Sequence, residues 1–271
     1  MRDLAPAKVN LCLYLGPLRS DGYHEILSVF QSVSLYDEVE LTDHDGPADE
    51  IRCPGVEGPN LAGRAIAVFR EATGWEGPPQ LLRVAKRIPV AAGLGGGSAA
   101  AAAALRLLAR RSGLRTDLHA LATWLGADVP SQLEPGRWLV EGIGERLTRL
   151  PDPDPCGILI LPADVELSTA AVYAKADALG LGRSSEELGR LRAALDPMRP
   201  APVNDLAPAA RALEPTIDAA IDRFSGSVSG SGPTVFSVFP TLQGAQNAAD
   251  ELAATGVPAF ACTPVHNSTL T

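Results

Sequence analysis

The glycines at 93, 95, 96 and 97, within "PVAAGLGGGSAAAAAALRLLARR" (residues 89–111), put bare backbone directly ahead of an alanine-rich helix. Glycine permits positive φ and leaves room for a ligand oxygen to reach backbone N–H groups. The first N–H groups of a helix have no partner inside it, and the helix dipole adds positive potential at that end. Such a loop can wrap an anion, above all a phosphate. The alternative is a flexible Gly/Ala linker, but a linker is polar and Ser/Gly-mixed. Here Leu105, Leu107 and Leu108 with Ala101 and Ala104 form an apolar stripe, and Arg106, Arg110 and Arg111 gather near the C-terminal end, where cations suit the dipole.

Three common phosphate loops do not fit. A Walker A loop needs Lys after its last glycine, where Ser98 and Ala99 stand. The dinucleotide fingerprint starting at Gly93 needs glycine at position 98 and a place after the first strand. Its acidic ribose partner could only be Asp117, a helix-cap candidate, which weakens the oxidoreductase reading. Protein kinases carry H-R-D and D-F-G, and neither occurs.

Other residues able to do chemistry are scattered. Asp128, in "LGADVP", follows a helix end and precedes Pro130; a turn Asp is the ordinary role there. Lys8, in "APAKVN", is one of only three lysines against 20 arginines, so a compact ammonium can be a requirement at that position. Asn10 follows two residues later, on the same strand face. Tyr23 and His24 stand in "SDGYH", Tyr173 in "LSTAAVYAKAD", and Gly230 and Gly232 in a second turn, "SGSGPT". The spacing of Tyr173 is equally that of a core residue.

Strands over 6–15 and 26–42 must carry Lys8 and Asn10, with "RSDGYH" as the loop between them. Asn60 caps a helix to about Arg70, "LLRVAKRIPV" leads into the glycine loop, and Gly113 ends the helix after it. Thr116 or Asp117 caps a helix to Leu125, and 137–150 forms a hairpin turning at "EGIGE". The proline-rich "LPDPDPCG" divides the chain into 1–150 and 151–271. Beyond it the pattern gives a strand at 157–161, helices near 168–179, 184–195 and 206–223, a strand at 234–239, a helix over 241–254 and an edge strand at 257–264. The polar tail "HNSTLT" is expected to fray. Without regular βαβ alternation the class is α+β.

Composition bounds the rest. The chain has 271 residues, 46% hydrophobic and 20% charged, with net charge −9, which fits a soluble globular protein and argues against non-specific nucleic-acid binding. No stretch is long and apolar enough to span a membrane and no signal peptide opens the chain, so a cytoplasmic protein, monomer or weak dimer, is expected. Four distant cysteines read as reduced thiols. The arginine excess points to a GC-rich genome.

Residues 89–99, P-x-x-x-G-L-G-G-G-S-A, resemble the ATP loop of the GHMP small-molecule kinases. The resemblance extends through "APAKVNLCLYLGPLRSDGYHEILSVFQSV", "LGADVPSQL", "EGIGERL", "PVNDL" and "VSGSGPTVFSVF", in the family's order from residue 5 to 239. It implies a two-domain fold, with an N-terminal ATP-loop domain and a C-terminal α/β sandwich-like domain. ATP and Mg²⁺ are the implied cofactors, and the branch most resembled phosphorylates the 2-hydroxyl of a cytidyl diphosphate conjugate of methylerythritol in non-mevalonate isoprenoid biosynthesis. Asp128 and Lys8 are then catalytic. Pro89, Val90, Ala91, Ala92, Gly93, Leu94, Gly95, Gly96, Gly97, Ser98 and Ala99 hold the phosphates above Gly230 and Gly232. Asn60 and Lys86 line the adenosine part, and Asn10, Tyr23, His24 and Tyr173 contact the acceptor substrate. Ser98 is the one metal-ligand candidate; the partner carboxylate of some GHMP kinases is missing. A homoserine- or mevalonate-like kinase and a non-catalytic GHMP-fold binding protein are the alternatives.

Overall fold

The computed structural model describes residues 1–163 and 165–266. In chain order the elements are β1 (Arg2–Leu18), β2 (His24–Asp43), β3 (Glu50–Arg52), α1 (Leu61–Thr73), β4 (Gln80–Ala85), α2 (Gly96–Ser112), α3 (Leu118–Leu125), α4 (Val129–Leu133), β5 (Arg137–Gly142) and β6 (Arg146–Arg149). They continue with β7 (Gly157–Leu161), α5 (Thr169–Ala178), α6 (Ser185–Ala194), α7 (Ala207–Leu213), α8 (Ile217–Phe224), β8 (Ser227–Val228), β9 (Val235–Phe239), α9 (Leu242–Ala253) and β10 (Phe260–Cys262).

The long β2 organises the first sheet. It pairs antiparallel with β1 along one edge; on the other, Glu38–Asp43 pair with β4 and Ile26–Gln31 with β5. Alternation sends Ile26, Ser28 and Phe30 to one face and Leu27, Val29 and Gln31 to the other. The second sheet has the order β10-β7-β9-β8. Its strands come from residues after 156, those of the first sheet from residues before 150.

The two sheets do not have separate cores. Ala7, Val9, Val33 and Leu94 share one cluster with Ile158, Ile160, Phe236 and Cys262, and Leu13, Leu15 and Phe30 share another with Val172, Leu206 and Val235. The helix α2 is buried at every residue from Ala99 to Leu105. It touches β1 and β2 on one side and α1, α3 and α4 on the other, which the small alanine side chains allow at high helix propensity.

Mixed helix and sheet, α+β, is as expected, and the Asn60, Gly113 and Asp117 caps are all present. Five details differ. The short α4 stands where no helix is expected. One helix expected over 206–223 is two, α7 and α8, because Pro215 cannot continue the backbone ladder. The strand expected over 257–264 shrinks to 260–262, and the short β3 and β8 carry too few residues to show a period. His24, expected in a loop, opens β2. In the polar tail, 267–271 lie outside the described residues. The four cysteines are free, and no helix among the described residues is long and apolar enough to cross a membrane.

Candidate active site

The glycine loop meets the chain at three fixed points. Lys8 N–H donates to Leu94 O at 2.9 Å, which ties the loop to β1. Ser229 Oγ donates to Gly93 O at 2.9 Å, which seats it on the second glycine turn. Gly95, at φ 68, begins α2 with no side-chain cap and no acidic residue in the first turn. The first helical bond is Ala99 N–H to Gly95 O at 2.9 Å, so the N–H groups of Gly96, Gly97 and Ser98 precede the ladder and face outward as donors. Ala91 holds φ 52, a sparsely populated region for a residue with Cβ.

Gly93 is the tightest point. With φ +72, an added Cβ would lie 2.2 Å from Ser229 O and 2.9 Å from Gly232 O, both backbone atoms that cannot swing away. At Gly97 an added Cβ meets nothing within 4 Å. Gly93→Ala is therefore expected to lower stability by at least about 2 kcal/mol through strain and clash, and to weaken ATP binding at least about tenfold by pushing the loop off its seat. Gly97→Ala keeps wild-type stability. Urea midpoints and ATP titration of the two variants check this; a normal midpoint for Gly93→Ala would show that the loop is not seated on the second turn.

Two ammonium groups flank the helix end. Lys86 is ion-paired with Asp37, a carboxylate with no exposure whose Oδ1 also accepts from the Arg87 and Ile88 N–H groups at 2.8 and 2.9 Å. A Cβ on Gly96 would come 2.9 Å from Lys86 Nζ. The Lys8 ammonium is 3.3 Å from Asp128 Oδ2, donates to Asn10 Oδ1 at 2.6 Å and lies 4.3 Å from the centre of the Phe30 ring. Asn10 in turn donates through Nδ2 to Ser28 Oγ at 3.0 Å, so Lys8 and Asn10 are held rigidly on one face of β1. Asp128 occupies the N-cap position of α4, yet its side chain makes no capping bond. It turns towards Lys8 instead, and is one-third exposed.

Aromatic residues form the far wall. Tyr23 is 60% exposed, while the Tyr173 ring is partly buried, 5.9 Å from the His24 ring centre. Burial, and then the negative charge of Asp128, pushes the Tyr173 hydroxyl up to about 12, so it stays protonated at neutral pH. His24 is itself buried, with Nδ1 2.8 Å from Gly16 O and Nε2 2.8 Å from Asp177 Oδ1. An imidazole expected to face the substrate is thus fully engaged by the protein.

These parts line one cavity of about 1000 Å³. Its walls include Lys8, Asn10, Tyr23, His24, Asn60, Lys86, the loop from Pro89 to Ser98, Asp128, Tyr173 and Gly230. Two expected residues do not reach it. Ala99 is 1% exposed, packed inside the helix layer, and Gly232 backs the second turn, donating its N–H to Ser229 O. Asn60 faces the cavity, but its Oδ1 is used to cap α1 through Ala62 N–H at 2.9 Å.

Several lining residues were not anticipated, among them the polar Asp177, Thr169 and Ser231. Asp177 stands one helical turn after Tyr173, an i, i+4 relation that could have revealed it. Thr169 and Ser231 exchange a hydroxyl bond at 3.0 Å; they stand in the stretches "LSTAAVYAKAD" and "SGSGPT", but nothing local marks two residues 62 apart as partners. No group of three or more His, Cys, Asp or Glu side chains able to hold a metal ion occurs among the described residues.

Comparison with known proteins agrees with this geometry. Residues 60–134 match the GHMP kinases N terminal domain and 176–258 the GHMP kinases C terminal domain. The chain is 40% identical to the 4-diphosphocytidyl-2-C-methyl-D-erythritol kinase of Anaeromyxobacter sp. (strain K), over 91% of this chain and 83% of that protein. It is 34% identical to the protein of the same name from Syntrophotalea carbinolica, over 97% and 99%. Among solved structures it is similar to a 4-(cytidine 5'-diphospho)-2C-methyl-D-erythritol kinase, with TM-score 0.81 and 33% identity over 98% of this chain and 100% of that one. A homoserine kinase from Cytophaga hutchinsonii, at 20% identity and TM-score 0.68, shares the fold. With full-length relatives at this identity, the chain belongs to the GHMP kinases, in the branch of the 4-diphosphocytidyl-2-C-methyl-D-erythritol kinases.

Proposed function

We propose that the protein transfers the γ-phosphoryl group of ATP to the 2-hydroxyl of 4-diphosphocytidyl-2-C-methyl-D-erythritol, a step of non-mevalonate isoprenoid biosynthesis. The observation that carries the reading is the single cavity joining an uncapped glycine helix end, a Lys8–Asp128 pair and an aromatic wall. The N–H groups at the start of α2 take the phosphates, with Lys86 and Asn60 on the adenosine side. Asp128 accepts the proton of the attacking hydroxyl. Lys8 holds that carboxylate, and its positive charge favours the alkoxide and the charge on the transferring phosphoryl group. Mg²⁺ bound through phosphate oxygens keeps several waters and needs few protein ligands; the Ser98 hydroxyl at the start of α2 would supply one hard oxygen there. When bound, the ion neutralises charge on the β- and γ-phosphates. The functional halves are 1–150, with the loop and the catalytic pair, and 151–271, with Tyr173 and the second turn.

Purified protein with Mg-ATP is expected to release ADP in the presence of this substrate in a coupled assay. Background rates with it, alongside turnover of homoserine or mevalonate, would overturn the substrate assignment and leave the family intact.

Cytosine recognition falls to the segment around Tyr23. Stacking on an aromatic ring is worth ~1–3 kcal/mol per base and tolerates any base. Tyr23→Ala is thus expected to raise KM roughly 5–100-fold for cytidyl and uridyl conjugates alike, with kcat little changed. Because both His24 ring nitrogens are engaged, base selectivity comes from backbone groups at the start of β2, which the His24 bonds to Gly16 and Asp177 hold in place. A normal KM in Tyr23→Ala would remove stacking from this loop.

A further inference from the structure

A second cavity, of about 500 Å³, lies on the opposite face of the strands that carry the active site. Adjacent residues of β2 divide between the two: Phe30 faces the first, Gln31 the second. The walls of the second are largely apolar, with Leu11, Ile158, Phe236, Val238 and Met198. Set into them are two polar side chains, Gln31 at 1% and Arg137 at 3% exposure, directly opposite each other in the β2–β5 ladder. Their side chains are therefore neighbours on one face.

Both are incompletely satisfied. Gln31 Nε2 donates to Ser32 O, but Oε1 has no partner. Arg137 donates one terminal N–H to Met198 O at 3.1 Å, and its Nε has no acceptor. Among the described residues no carboxylate lies within ion-pair distance of this guanidinium. Asp196 is close enough to act on it electrostatically, and burial still holds it below the usual arginine range. A buried cation without a paired anion is costly, and a buried orphan donor beside an orphan acceptor is rare in folded proteins. Asp152, Asp154 and Arg199 complete the charged lining; with Arg137 that is two cations and two anions, which leaves no net field against a small anion.

We infer that this cavity is a binding site for a small carboxylic acid with an apolar body and a hydrogen-bond donor, hydroxyl or ammonium, next to the carboxylate. The carboxylate accepts from the terminal N–H groups of Arg137 that the bond to Met198 O leaves open, forming the charge-assisted bond the guanidinium lacks. A small turn of the amide brings Gln31 Oε1 to the neighbouring donor, and the apolar body lies against Ile158, Phe236 and Val238. The rim carboxylates Asp152 and Asp154 favour the ammonium form over the hydroxyl.

Thermal unfolding of the whole protein with four probes tests this: leucine, 2-hydroxy-4-methylpentanoate, 4-methylpentanoate and 4-methylpentanamide. Leucine or the hydroxy acid is expected to raise the unfolding temperature by about 2–4 °C, saturating at millimolar concentration and unaffected by saturating ATP. A shift with the first distinguishes an amino acid ligand, with the second a hydroxy acid. The acid without the donor binds at least about fivefold more weakly, and the uncharged amide gives no shift. Arg137→Met abolishes every shift, while its own unfolding temperature equals or exceeds that of the wild type and its kinase rate is unchanged. The inference is overturned if no acid stabilises the wild type, if the amide does so equally, or if the shift survives in Arg137→Met or is abolished by ATP. A large loss of stability in Arg137→Met would also overturn it, since the guanidinium would then be a satisfied structural group.

Discussion

Asp128→Asn is expected to lower kcat at least ~10²-fold, and up to ~10⁴-fold, with the KM for ATP near that of the wild type. An alcohol is too weak an acid to lose its proton unaided as the phosphoryl group arrives, and the amide cannot accept that proton. The substitution keeps shape and volume, so the cavity is unchanged. Stability should move by no more than about 1 kcal/mol, because the carboxylate is one-third exposed and Lys8 keeps its contacts with Asn10 and Phe30. A drop in rate therefore reports chemistry rather than unfolding. Single-turnover measurements with bound ATP separate the two: a normal phosphoryl-transfer rate in the variant would take Asp128 out of the reaction.

How much of this site could be read from the residues depends on the range of each interaction. The loop and α2 were legible because glycine freedom, alanine propensity and the Gly113 cap are local effects. So were the Asn60 and Asp117 caps, each a bond to a residue two or three positions on. Pro215 is a local signal too, but the apolar pattern on either side of it masked the break between α7 and α8.

The pairing of Lys8 with Asp128 has no local signature. It spans two elements far apart in the chain, and only the resemblance of the flanking motifs to a kinase family joined them. Asp37 lies 49 residues from Lys86, and Asp177 lies 153 from His24. Nothing in either segment marks these bonds, so His24 read as a free loop side chain when it is a tied strand end. Asp128 shows the reverse. Its place after a helix end reads as an ordinary turn; in the fold it stands at the N-cap of the short α4, makes no cap bond there and turns its side chain to Lys8.

Lys8 is the residue on which the rest of the site converges. Its backbone N–H holds the glycine loop through Leu94 O, its stem lies where a Cβ on Gly95 would come within 3.0 Å, and its ammonium joins Asp128, Asn10 and the Phe30 face. With the side chain 5% exposed, its charge acts in a medium where a preorganised donor is worth far more than in water. Lys8→Met keeps the stem and removes the charge, and is expected to lower kcat ~10²–10³-fold, as loss of one transition-state donor does. Lys8→Arg should do nearly as much damage. The planar guanidinium cannot place a compact point charge where Lys8 meets Asn10 and Phe30. If Lys8 and Asp128 act as one unit, the double variant Lys8→Met with Asp128→Asn loses little more than the worse single variant. Losses that multiply instead, or near-normal turnover in Lys8→Met, would show that the pair does not work together on the acceptor hydroxyl.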